Sequence, residues 1–147
     1  MASTAKTWFE CMLECIYTDN VTAKDIKEKS TYLIDAMTFT EAEARMTEKI
    51  KELPGGEYVI KKLNPMKLDD FYDDGDYERW WKVKVVMETE QDNGKKKKIP
   101  FFSVIHADTA EDAAKMIKEK YSETVNDFAI KEVKEYILND YIKQIGE

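Results

Sequence analysis

Cysteine, proline, glycine and histidine are all scarce in this chain of 147 residues, at two, three, five and one. Cys11 and Cys15 lie four positions apart in a segment that alternates like a strand. At about 3.3 Å per residue their α-carbons are about 13 Å apart, too far for a mutual disulfide. No third and fourth ligand follow them, so a metal site is excluded too, and two buried thiols packing as small apolar groups are expected. Five scattered glycines cannot build a phosphate-cradling loop, and no nucleophile elbow, paired-histidine helix or Cys-x-x-Cys unit occurs. His106 has only Ser103 nearby as a conceivable nucleophile, and Ser103 sits on no elbow, so a structural histidine at a strand end is expected. The chain is therefore expected to be no enzyme, with no catalytic residue, cofactor or metal ligand assigned. Long apolar runs are also missing: none approaches the roughly 20 residues that span a bilayer. Residues 1–7 hold one lysine and no apolar stretch, which argues against a signal peptide and for a cytoplasmic protein without a membrane partner.

What the chain has in quantity is charge. Thirty acids against 23 bases give a net charge of −7, which argues against a domain that coats duplex DNA by charge alone. The positive charge is concentrated in Lys95, Lys96, Lys97 and Lys98, just beyond the turn signal Asp92-Asn93-Gly94. Such a tract commonly forms a solvated hairpin arm that discourages edge-to-edge sheet pairing. The acids Asp69, Asp70, Asp73, Asp74 and Asp76 lack the alternating ligand pattern of a calcium loop and read as a solvated connector.

The pattern within the chain is that of an α+β protein, a tandem duplication of a β-β-α-β unit with mostly antiparallel sheet and one amphipathic helix per copy. Sliding the sequence by roughly 70 residues places Tyr32-Leu33-Ile34, Glu41, Ala44-Arg45-Met46 and Tyr58 on Phe102-Ser103-Val104, Glu111, Ala114-Lys115-Met116 and Phe128. Thr38-x-x-Glu41 and Asp108-x-x-Glu111 each read as a capping box. The helices that follow carry apolar stripes at Ala42, Met46, Ile50 and Leu53, and at Ala110, Ala113, Ile117 and Tyr121. Alternating strands open each copy, a polar turn follows at 18–29 or 91–98, and a short apolar strand at 32–37 or 101–107 leads into the helix. Beyond each helix a strand is expected, with a break near Pro65 and its counterpart Glu135. The boundaries are 1–72 for the first copy, 73–78 for the acidic connector and 79–147 for the second copy, the two copies forming one pseudo-symmetric body.

Trp8 and Trp80 occupy matching places at the start of the two opening strands, on the face opposite the apolar row. In the second copy this face also carries Lys82 and Lys84. Aromatic rings interleaved with lysine are one physical solution for holding single-stranded nucleic acid, because bases stack on rings while lysine follows the phosphates. The candidate nucleic-acid-binding set is Trp8, Trp80, Trp81, Lys82, Lys84, Lys95, Lys96, Lys97 and Lys98. Against it stand Glu10, Glu14 and Glu88 on the same face, and a tryptophan face buried by helices or by a partner accounts for the rings equally well.

The stretches Thr4-Ala5-Lys6-Thr7-Trp8-Phe9-Glu10-Cys11, Tyr32-Leu33-Ile34-Asp35-Ala36, Thr38-Phe39-Thr40-Glu41-Ala42-Glu43-Ala44-Arg45 and Arg79-Trp80-Trp81-Lys82-Val83-Lys84 carry a resemblance. On them the chain resembles a family of short proteins, a domain of unknown function, from Bacteroides-type bacteria and their phages. The resemblance implies a phage or mobile-element setting and brings no catalytic residues. Two functions follow as expectations: an accessory protein that binds single-stranded nucleic acid through the aromatic and basic face, or a protein-interaction module. The second would be an oligomeric adaptor, a homo-oligomer, or an inhibitor of a host defence protein. A small enzyme or ligand-binding protein with a site between the copies comes last, since no constellation supports it.

Overall fold

The computed structural model describes residues 7–124 and 127–143. Residues 1–6, read above as no signal peptide, lie outside them. In chain order the elements are β1 (Thr7–Thr18), β2 (Asp25–Ala36), α1 (Phe39–Lys51), β3 (Glu57–Met66), β4 (Asp70–Tyr72), β5 (Arg79–Glu90), β6 (Lys96–Ala107), α2 (Ala110–Tyr121), β7 (Asp127–Tyr136) and β8 (Asp140–Ile142). They form two four-stranded sheets, each with one helix, which is an α+β arrangement.

The first unit comprises Met1–Lys67 with Leu138–Glu147. Its sheet has the order β3-β1-β2-β8, antiparallel except for the parallel β2–β8 pair. Alternation decides which side chains meet the helix: Phe9, Cys11 and Leu13 of β1 stand beside Ile34, Tyr32 and Ser30 of β2. On that face Phe9, Cys11, Leu13, Tyr32, Ile34, Ala36 and Leu63 enclose Ala42 and Met46 of α1 in a core, with Ile50 and Leu53 at its margin. Thr38 begins the helix as expected, its side chain accepting from Glu41 N–H at 3.1 Å, and the Glu41 carboxylate accepts from Met37 N–H at 3.3 Å.

The second unit is Leu68–Ile137, with sheet order β4-β6-β5-β7 and a parallel β4–β6 pair. Trp81, Val83 and Val85 of β5, with Ile105 and Ala107 of β6, pack on Ala113, Ile117 and Tyr121 of α2. The helix cap lies one residue later than the sequence suggests. Thr109 is the N-cap and accepts from Asp112 N–H at 3.0 Å, while the Asp108 carboxylate accepts from Glu78 N–H at 2.9 Å. Asp108 secures a loop, and the hydroxyl after it satisfies the helix.

Other elements differ from expectation for physical reasons. Both hairpins are longer than their apolar residues suggest, since pairing continues to Thr18↔Asp25 and Glu90↔Lys96, where both faces are solvated and polar side chains suffice. β3 runs through Pro65 to Met66, because an edge strand can turn the missing N–H outward. The break follows at residues 67–69, and at 137–139 after β7. The near-helical spacing of Ile130 and Val133 is the signature of a bulge. Val85 faces Ile130 and Val83 faces Val133, with the register shifting between Lys84 and Val85, so three residues of β7 match two of β5. The same shift lies between Met12 and Leu13 on the β3 side.

Corresponding elements of the two units are not separated by one constant interval. The β1–β2 loop at 19–24 is a residue longer than the β5–β6 loop at 91–95, and α1 is a residue longer than α2. The segments after β3 and after β7 also leave the sheets that precede them. Residues 70–72, placed by sequence with the first copy, pair with β6, and residues 140–142, placed with the second, pair with β2, so the units divide at 67/68 and 137/138.

Candidate functional site

The face of the second sheet turned away from α2 carries the basic and aromatic residues singled out by sequence. Antiparallel register sets Trp80 beside His106 and Tyr136, Lys82 beside Val104 and Lys134, and Lys84 beside Phe102 and Glu132. These side chains are engaged with one another. The Trp80 and His106 rings stack at 4.2 Å with an interplanar angle of 2°, Phe71 stacks on the same indole at 5.1 Å, and Asp73 lies 2.9 Å from His106 Nδ1. Lys82 Nζ sits 4.6 Å above the Tyr136 ring, and Lys84 Nζ is 5.9 Å from the Phe102 ring centroid. Val104, at the middle of this face, is fully buried, while Trp80, Lys82, Lys84, Phe102 and His106 around it are half-buried.

The remaining candidates lie on other faces and elements of their own units. Trp81 points to the opposite face, is 7% exposed, and its Nε1–H donates to Ala107 O at 2.9 Å. It is a core residue of the second unit. Trp8 belongs to the first unit, on the face away from α1, and is 9% exposed. Lys95 lies in the hairpin loop, and Lys96, Lys97 and Lys98 form the exposed start of β6. Lys98 stands opposite Glu88 and Lys96 opposite Glu90, so acids accompany the arm along its length.

The acidic segment, expected to be a solvated connector, is bound at Asp69, Asp73 and Asp74 by hydrogen bonds and an ion pair within the second unit. Asp69 donates its N–H to Phe102 O at 2.8 Å, and its Oδ2 accepts from Phe102 N–H at 2.7 Å. In the first unit Asn139 does the same to Thr31, at 2.9 and 2.8 Å. Each clasp delivers the next three residues as a parallel strand, β4 onto β6 or β8 onto β2. The aspartate that opens each strand then turns toward the helix. Asp140 Oδ2 lies 3.1 Å from Lys49 Nζ, and this hydrogen bond raises the lysine above its usual pKa against partial desolvation. Asp70 is raised above the usual carboxylate range, first by burial and then by Asp69. The hydroxyls of Tyr72 and Tyr121 and the charge of Lys120 oppose that rise. Burial, reinforced by Asp70, pushes both tyrosines upward. Asp74 binds Lys120 at 2.7 Å, and Lys120 Nζ lies 4.2 Å above the Tyr72 ring. Sequence reasoning missed this site, although its signal is present in the recurrence of Leu68-Asp69-Asp70-Phe71 as Leu138-Asn139-Asp140-Tyr141.

β8 is the outer strand of its sheet. Alongside it lies an open groove of about 590 Å³ between α1 and the strand, lined by Ala44, Arg45, Glu48, Tyr141, Ile142 and Lys143. Arg45 in this lining is hydrogen-bonded to Asp35 O and to the Glu41 carboxylate. Among the described residues no group of three or more His, Cys, Asp or Glu side chains is placed to hold a metal ion. No described helix is long and apolar enough to cross a membrane.

Two mixed sheets, each covered by one helix and finished by a clasped parallel strand, define an α+β protein. The chain belongs to the DUF4494 family, a domain of unknown function, whose profile matches residues 4–144. No curated protein and no solved structure matches it.

Proposed function

We propose that this protein is a non-catalytic interaction module made by tandem duplication of a β-β-α-β unit. It would bind a partner by adding an extended segment to a sheet edge, in the phage or mobile-element setting implied by its sequence resemblance. The observation that carries this reading is the twin clasp, in which Asn139 on Thr31 and Asp69 on Phe102 make the same pair of backbone hydrogen bonds. Main-chain hydrogen bonds supply affinity in such recognition, and alternate side chains supply specificity. Here Asp140 meets Lys49, and Ile142 packs against the helix-side core. Peptide display against the immobilised full chain tests the reading. It predicts enrichment of extended sequences with an Asx-Asp-aromatic core, and no enrichment over an unrelated acidic α+β protein would overturn it.

Single-stranded nucleic-acid binding is the second reading, favoured by one observation: Lys96, Lys97 and Lys98 are all exposed at a hairpin end. It ranks lower because Trp81 is a core residue and Trp80, Lys82 and Lys84 are already engaged with His106, Tyr136 and Phe102.

A further inference from the structure

The route of the chain bears directly on what the sheet edges recognise. β7 ends at Tyr136 in the second unit, and β8 begins at Asp140 in the first, so residues 137–139 are all that joins the two strands. Ile137 in that link is 71% exposed. β8 is three residues long, each of them half-buried, and it lies at the edge of its sheet beside an open groove. Its anchors are the backbone of Thr31, the parallel pairing of Tyr32, Leu33 and Ile34, the ammonium of Lys49 and the helix-side core that receives Ile142. Every one of these belongs to β1, β2, α1 or β3, and none depends on which chain delivers the strand. A short terminal strand on a short link, docked on an edge indifferent to its origin, is the arrangement from which exchange between copies arises at low cost.

We infer that the edge of β2 is a strand-acceptor site for a segment of the form Leu-Asx-Asp-aromatic-aliphatic, and that a second copy of this chain occupies it by reciprocal exchange of β8. The inference rests on the strand-addition reading above and names its partner. In the exchanged dimer Asn139, Asp140 and Ile142 of the other copy take the places that the chain's own residues fill in the monomer. Charge favours the occupant: Lys49 favours an acid at the first strand position, and the Thr31 amide favours an acceptor oxygen on the residue before it. Linking in cis gives the closed monomer a high effective concentration of strand, so exchange is favoured by high protein concentration or by refolding.

The test mixes full-length chains of ordinary and heavy-isotope composition, unfolds them in urea, refolds them at high concentration and weighs the products by native mass spectrometry. Mixed dimers are expected. A synthetic peptide of residues 137–143 added during refolding should reduce them at least tenfold, and the same peptide with alanine at the Asn and Asp positions should not. Asn139→Ala combined with Asp140→Ala in the full chain should abolish the dimer. If that variant fails to fold, the two peptides decide the matter on the wild-type chain. Absence of mixed dimers, or dimers indifferent to the peptide, overturns the exchange. Peptide display that still enriches the motif in that case leaves strand addition standing, so the two failures are distinguishable.

Discussion

Asn139 takes both backbone hydrogen-bonding groups of Thr31, donating its N–H to the carbonyl at 2.9 Å and accepting the amide on Oδ1 at 2.8 Å. Asn139→Ala removes the acceptor and leaves the Thr31 amide without it, which should cost about 1–2 kcal/mol. Because Asp69 holds Phe102 in the same manner with a carboxylate, Asn139→Asp should stay within about 0.5 kcal/mol of wild type. Urea unfolding of the two variants measures both, and equal losses would show that the side-chain oxygen is not what matters.

Helix starts offer a second check. Thr38→Ala and Thr109→Ala should each cost about 1 kcal/mol by removing the acceptor for an amide in the first turn. Asp108→Ala should leave the start of α2 intact and release the Glu78 amide, seen as faster hydrogen exchange at Glu78 with unchanged protection at Asp112.

Stability should respond to pH at Asp70. Its folded-state pKa is raised, mainly by burial, so the folded state holds the proton more tightly than the unfolded chain does. Its contribution is present below the ordinary carboxylate pKa and is lost as pH rises through the raised value. Asp70→Asn, which carries no charge to desolvate, should therefore gain relative to wild type between pH 3 and pH 7 when urea midpoints are compared. A relative loss over that range would mean that Lys120 and the tyrosine hydroxyls outweigh burial.

The two thiols should differ in reactivity. Cys11 is fully buried, and burial pushes its thiol up to about 11, so at pH 8 almost none is thiolate. Half-buried Cys15 should be the site of iodoacetamide modification in the native protein. Mass spectrometry should find one adduct per chain under native conditions and two in guanidinium, whereas native alkylation of Cys11 would contradict the packing of β1 against α1.

Nucleic-acid binding has its own measurement. With Trp81 in the core and Trp80 stacked on His106, oligo-dT should leave tryptophan fluorescence unchanged up to high micromolar concentration. Salt-dependent quenching, weakened when Lys95, Lys96, Lys97 and Lys98 are replaced by serine, would favour the second reading.

Much of the fold is legible in the residues. The alternation of Phe9, Cys11 and Leu13, and of Trp81, Val83 and Val85, fixes a buried face in each sheet, and the stripes at Ala42 and Met46 or Ala113 and Ile117 place the helices on it. Local rules stop where geometry is not local. The bulges make Ile130 and Val133 imitate a helix, and Trp81 looks like a binding residue until register assigns it to the helix face. The strand clasps escape because a sheet edge is filled by a segment distant in sequence. Asp69 and Asn139 present the same acceptor oxygen to Phe102 and Thr31, so composition cannot decide which strand closes which sheet.

Hydrogen exchange at the amides of Thr31 and Phe102 tests that assignment most directly, read in the wild type and in two full-length variants. Asn139→Ala should accelerate exchange at Thr31 and spare Phe102, and Asp69→Ala should accelerate Phe102 and spare Thr31. The crossed result, with Asp69→Ala opening Thr31 and Asn139→Ala opening Phe102, would mean that each half keeps its own final strand and would contradict the account.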